Sequence, residues 1–140
     1  MATTEQRLWD HYSQHKERWN RAFMQRFLDA KLPSYAAFHQ AALLVAMGKS
    51  MDMLMEAVRD RSIEQYIVAQ RENFRARVKN GISVDDIHAG IRLSEQVMND
   101  LVAEALPDAP ADCENLQKRS KKYLSLSAMA LTELVLEAKQ

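Results

Sequence analysis

Apolar side chains return every three or four positions along most of this chain, which is the spacing of one buried helix face. Leu8, Tyr12, His15, Trp19, Phe23, Phe27 and Ala30 form the first such stripe and predict a helix from about Thr4 to Ala30. Thr3 and Gln6 stand at capping-box spacing before it. Lys31-Leu32-Pro33 ends it, because proline disfavours the helical state of the residue before it. A second helix is expected from about Ser34, its cap, to Arg59. Phe38, Ala41, Leu44, Val45, Met47, Met51, Leu54, Met55 and Val58 point in many directions around that axis, as on a helix covered by neighbours.

Ser62 and Gln65 repeat the capping-box spacing and open a third helix that runs to about Lys79. Its apolar face is Ile63, Tyr66, Ile67, Phe74 and Val78. Asn80-Gly81 closes it, since glycine readily takes the left-handed conformation that such ends prefer. Ser83 and Asp86 cap a fourth helix, continued by Ile87, Ile91, Val97 or Met98, Leu101 and Ala105. Early acids at Asp85 and Asp86 suit its positive end. Leu106 to Asp112 holds two prolines and reads as a loop, and a fifth helix follows from about Cys113 to Ala138. The pattern predicts one all-α domain over residues 1–140, a five-helix globin-like or bundle arrangement.

Composition narrows this further. The chain has 140 residues, with 19 basic and 19 acidic side chains, so no net charge draws it to nucleic acid or anionic membrane. Three glycines and three prolines leave few turns. A single cysteine, Cys113, cannot close an intrachain disulfide, which fits a reducing compartment. The first residues lack a basic region followed by an apolar run. The longest apolar run, Ala41 to Met47, is far short of the ~20 residues that span a bilayer. A cytoplasmic protein is expected, with no membrane contact.

Candidate chemistry is sparse. His11 and His15 stand four apart and could face one metal, but further ligands are missing. Asp85 and His88 stand alone. Gly48-Lys49-Ser50 resembles the end of a phosphate loop, yet Leu43 occupies the place of its first glycine and no strand precedes it. Lys118-Arg119-Ser120-Lys121-Lys122 is a basic cluster that could hold phosphates of a nucleic acid; a solvated face is the simpler reading. No nucleophile, base or cofactor loop can be named, so an enzyme is not expected and no cofactor or metal is assigned. Met47, Met51 and Met55 recur every four residues. Methionine is deformable, and Phe38, Leu44, Met47 and Met51 could line a cavity for a small apolar ligand; core filling is the plainer alternative.

The last helix supplies the sharper inference. Leu124, Leu126, Met129, Leu131, Leu134, Val135 and Leu136 occupy more than one face, and one subunit has limited means to cover them all. A homodimer is expected, with Leu124, Met129, Leu131, Val135 and Leu136 at the interface.

Tyr66, Ala69-Gln70, Arg77, then Asn80-Gly81-Ile82-Ser83-Val84-Asp85-Asp86-Ile87, with Ile91, Val97-Met98 and Leu101 following, resemble the N-terminal helical modules of bacterial stress-signalling proteins. These are the RsbR and RsbRD co-antagonists of the stressosome and, more distantly, the RsbU phosphatase. The match covers about half of the chain. The resemblance implies a globin-like fold without haem, a dimer, and a non-enzymatic sensory or protein-recruiting role in partner switching, with a regulatory partner such as a switch kinase. Such modules lead into an output domain, whereas this sequence ends at Gln140, as an isolated sensor or a free-standing adaptor would. Haem-binding relatives carry their iron-ligating histidine at an offset from Gly81-Ile82 that falls on Arg77, which cannot ligate iron. His39 or His88 would have to serve instead in a haem sensor.

Overall fold

The first predicted helix is two helices. It breaks at His15, whose backbone (φ −121°, ψ 22°) leaves the helical region although neither proline nor glycine is near. In the computed structural model, which describes residues 2–139, the elements are α1 (Thr4–Gln14), α2 (Lys16–Ala30), α3 (Gln40–Asp60), α4 (Ile63–Lys79), α5 (Val84–Ala105) and α6 (Pro110–Ala138). A single 3₁₀ turn at Pro33–Tyr35 precedes α3. Among the described residues the fold is therefore all-helical, with six α-helices where periodicity predicted five.

Two carboxylates flank the break. Asp52 on α3 accepts from Tyr12 (2.8 Å) at the end of α1 and from Lys16 (2.7 Å) at the start of α2. Glu104 on α5 accepts from Arg18 (2.6 Å) and lies 2.6 Å from His11 Nε2. Each carboxylate thus holds both halves of the bent segment. The bend turns His15 out to solvent, so it is not part of the buried stripe. Leu8, Tyr12, Trp19, Phe23 and Phe27 remain buried as the pattern predicted.

Helix α3 lies antiparallel to the α1–α2 segment, and α2 lies antiparallel to α5 through Arg18–Glu104, Arg26–Asp100 and the contact of Phe27 with Gly90. Helices α5 and α6 form a hairpin, with the Gln117 amide donating to the Asn99 carbonyl at 3.0 Å. Helix α4 runs alongside α6 in the same direction, joined by the Tyr66–Tyr123 ring contact and by Arg71 with Glu133 and Glu137. Met47, Met51 and Met55 are each 1% exposed and fill the core that these helices share.

The caps divide into those that formed and those that did not. Thr3 Oγ1 accepts from Gln6 N–H and Ser83 Oγ from Asp86 N–H, both at 3.1 Å. Asn80-Gly81 ends α4 as predicted: Gly81 has φ 90°, and its N–H and that of Ile82 return to Val78 and Arg77. This is the double bond pattern of a Schellman end. Ser62 makes no cap bond. Arg61 takes the left-handed conformation that ends α3, and the two-residue link leaves Ser62 at ψ 66°, away from the extended backbone that aims a capping hydroxyl. Ser34 does not cap α3, which starts later, at Gln40, with His39 Nδ1 accepting from Ala41 N–H at 3.1 Å. Ser34 instead clasps the start of α5. Its N–H donates to the Asp86 carboxylate (2.8 Å), and its Oγ accepts from Ser83 N–H (2.9 Å). Burial opposes ionisation of Asp86, but the bonds from Ser34 and Ser83 outweigh it and hold the carboxyl below its usual range. Helix α6 begins at Pro110, earlier than Cys113, because proline suits a first helical position where no N–H is needed.

Two outcomes test this packing. A Cβ on Gly90 would lie 2.8 Å from Phe27 Cζ, so Gly90→Ala is expected to cost about 1–3 kcal/mol by overpacking, measured by urea unfolding, and less in a Phe27→Leu background. Hydrogen bonds from Arg18 and then His11 hold the Glu104 carboxyl at about 2, against 4.5 ordinarily. The folded value is the lower one, so its contribution is present above 4.5 and lost as pH falls towards 2. Glu104 is partly exposed, and that contribution is below about 1 kcal/mol. The urea midpoints of the wild type and Glu104→Gln should therefore differ at neutral pH and converge across that acid range.

Candidate functional site

Helix α6 has two unlike faces. Leu116, Tyr123, Leu124, Ala130 and Leu131 turn into the core, joined by the buried hydroxyls Ser120 and Ser127, whose Oγ atoms donate to the Gln117 and Tyr123 carbonyls. Leu124 and Leu131 are 3% and 0% exposed and are covered by their own subunit, so neither is free to meet a second copy. On the other side Lys122, Ser125, Met129, Thr132 and Leu136 are all exposed. Met129 and Leu136 are 58% and 56% exposed, and Val135 is half-buried between the two faces. Of the five expected interface residues, Met129, Val135 and Leu136 reach the surface. Beside them, Val78 and Val84 join Leu134 and Val135 in an apolar groove of about 450 Å³, rimmed by Arg75, Glu137 and Lys139.

The four residues grouped as a ligand cavity do not share one. Met47 and Met51 line a partly open space of about 30 Å³, room for one or two waters. Phe38 lines a separate open groove, and Leu44 packs half-buried against the core. The difference follows from the turn at Pro33–Tyr35, which delays α3 and leaves Phe38 outside it.

A polar row that periodicity did not single out enters the core from α4. Tyr66, Gln70, Asn73 and Arg77 recur at steps of four, three and four, and all four line the small space beside Met47 and Met51. Asn73 Nδ2 donates to Gln70 Oε1 (3.4 Å), and Gln70 Nε2 donates to the Tyr66 oxygen (3.2 Å). Burial pushes the Tyr66 phenol up to about 12, so it stays neutral. Arg77 donates to Tyr35 Oη (3.1 Å) and Ser50 Oγ (3.2 Å). Counting only apolar residues gave the α4 face as Ile63, Tyr66, Ile67, Phe74 and Val78. Val78 is 41% exposed, whereas Gln70 is 7% exposed. The spacing of the polar residues themselves was the signal available in the sequence.

The remaining candidates disperse. His11 and His15 rings lie 4.7 Å apart, but His11 faces Glu104. Among the described residues no three His, Cys, Asp or Glu side chains converge as metal ligands would. His39 caps α3, and His88 is half-buried on α5. The basic cluster is divided: Lys118 pairs with Glu114 (3.0 Å), Arg119 donates to the Val58 carbonyl (3.0 Å) beside Glu5, and Ser120 is buried. Lys121 and Lys122 alone face solvent without an ion pair among the described residues. Cys113 is half-buried. No described helix is long and apolar enough to cross a membrane.

No family model, curated protein or solved structure matches the chain. Among the described residues the class is an all-helical fold that exposes Met129 and Leu136 on α6 beside an apolar groove.

The two faces of α6 should respond differently to truncation. Leu131→Ala is expected to cost about 2–5 kcal/mol, as removal of a fully enclosed leucine does, whereas Leu136→Ala at low protein concentration should stay within about 0.5 kcal/mol. Urea unfolding followed by tryptophan fluorescence makes both measurements.

Proposed function

We propose that this chain is a non-enzymatic sensory or protein-recruiting module that works as a homodimer through α6, in a bacterial partner-switching pathway. The observation that carries the reading is the strip Lys122, Ser125, Met129, Thr132 and Leu136. These exposed positions alternate steps of three and four, the spacing by which one helix packs along another. Pairing two such strips would remove Met129 and Leu136 of both copies from water. The polar members would tolerate solvent at the edges, and Lys122 would keep the near end of the seam wet. The neighbouring groove of Val78, Val84, Leu134 and Val135 offers an apolar seat for a regulatory protein such as a switch kinase. Support for the pathway comes from the resemblance carried by Tyr66, Gln70, Arg77 and Asn80 to Ile87, which also motivates a globin-like arrangement. The lack of an assembled nucleophile, base or metal-ligand set among the described residues is why we favour recruitment over catalysis.

Light scattering after size exclusion tests the pairing. At micromolar concentration the wild type should elute with twice the mass of one chain. Met129→Glu and Leu136→Glu should each shift it to the single mass with unchanged helicity, and Val68→Glu, at an exposed site on α4, should not. A single-chain mass for the wild type would overturn the proposal.

A further inference from the structure

Arg77 is a half-buried guanidinium with only neutral partners. Its bonds to Tyr35 Oη and Ser50 Oγ use two of the five donors that an arginine carries. No ion pair to Arg77 occurs among the described residues, although most arginines of this chain have one. The Tyr35 phenol supplies no counter-charge, since burial and, less, the Asp86 carboxylate raise it and Arg77 only partly offsets that rise. The carbonyls at the end of α4 are also occupied: Ala76, Arg77 and Val78 accept from the N–H groups of Asn80, Ile82 and Gly81. A partly desolvated cation without an anion is costly unless something else completes it.

Arg77 opens outward onto a groove of about 400 Å³ between α3, α4 and the Pro33–Phe38 segment. That volume falls within the ~300–1,000 Å³ of small-molecule sites. A second cation, Lys49, lines the same groove, and no carboxylate does. Lys49 too has no ion pair among the described residues. The rest of the lining is largely apolar, with Phe38 44% and Val45 60% exposed, and Met53 half-buried beside them. Arg77 is half-buried and Lys49 exposed, and two cations beside a largely apolar lining describe a site for a molecule with one anionic end and one greasy end.

We infer that this groove binds an amphiphilic monocarboxylate, its carboxylate between Arg77 and Lys49 and its hydrocarbon tail against Phe38, Val45 and Met53. A guanidinium with free donors accepts the two oxygens of a carboxylate side by side, which inorganic anions without a tail would exploit less well here. The groove shares no residue with the α6 strip, so the site stands apart from the dimer proposal, and either can fail without the other.

Sodium octanoate is the probe, with octan-1-ol and sodium acetate as the uncharged and tail-less controls. Each is titrated calorimetrically into the full chain and followed by thermal melting. Octanoate at about 1 mM should bind and raise the melting temperature, and both controls should bind at least about tenfold more weakly. Arg77→Gln should weaken octanoate about tenfold or more, and Lys49→Met severalfold. Arg77 also bridges Tyr35 and Ser50, so Val45→Asp provides a variant at an exposed position that sets a negative charge against the ligand without removing a core contact. It should abolish octanoate binding at unchanged helicity. The proposal is overturned if octan-1-ol binds as well as octanoate, if octanoate does not bind at about 1 mM, or if Lys49→Met and Val45→Asp both bind it like the wild type.

Discussion

Helix α3 carries Leu43, Met47, Met51, Leu54, Met55 and Val58 fully buried, spread around more of its circumference than one neighbour could cover. Water is kept from them only by helices on several sides. Helices α1 and α2 lie along one side, α4 along another, and α6 closes the remainder. The methionines suit this place because an unbranched side chain adapts to neighbours arriving from different directions. Once α3 is enclosed, α5 covers α2 and α6, and Phe27 meets the α-carbon of Gly90 because no side chain stands between them.

Charged groups then fix how the covering helices sit. Asp52 and Glu104 each gather donors from both sides of the His15 break, so the bent segment follows two helices instead of one. Asp86 performs the same service for the Pro33–Tyr35 turn, through Ser34. Each of these carboxylates has its donors supplied from within the chain. Arg77 differs in kind: it enters the interior from α4 as the last of a polar row and finds only a phenol and a hydroxyl. That contrast, between anions fully matched and a cation left with neutral partners, is what separates the groove over Arg77 from the rest of the surface.

The amphipathic division of α6 bears on the proposed assembly in a similar way. Two of the leucines that looked surplus to one subunit, Leu124 and Leu131, are needed by it, to cover α5, α4 and α3. What remains outside is narrower than the sequence suggested, a strip centred on Met129 and Leu136, and its narrowness is what makes helix-to-helix pairing a fitting cover. The adjoining groove at Val78 and Val84 arises because α4 ends and α5 begins there, leaving the end of α6 without a neighbour on that side.

Helix positions were legible in the residues because their signals are local. Thr3, Ser83, Pro33 and Asn80-Gly81 act within four positions of themselves, and the apolar periods of α2 and α5 read directly as buried faces, whereas on α3 Ala41 and Val45 are exposed and Leu43 is buried in their stead. The break at His15 was not legible, since nothing at positions 13 to 17 demands it; the carboxylates that hold its two halves lie 36 residues from Lys16 and 86 from Arg18 in the chain. Ser34 read as a cap because serine is a favoured residue at helix starts, but its partners belong to α5. Leu124 and Leu131 could not be told from Met129 and Leu136 by composition, because which side of a greasy helix is covered is decided by where α4 and α5 lie. Sequence by itself determined an all-helical chain, most of its boundaries and a core rich in methionine, since backbone hydrogen bonding and capping are short-range. Tertiary structure alone decided that Arg77 would meet Tyr35 and Ser50, 42 and 27 positions distant, and no acid. A charge acquires its counter-charge, or lacks one, only when remote segments are brought together in space.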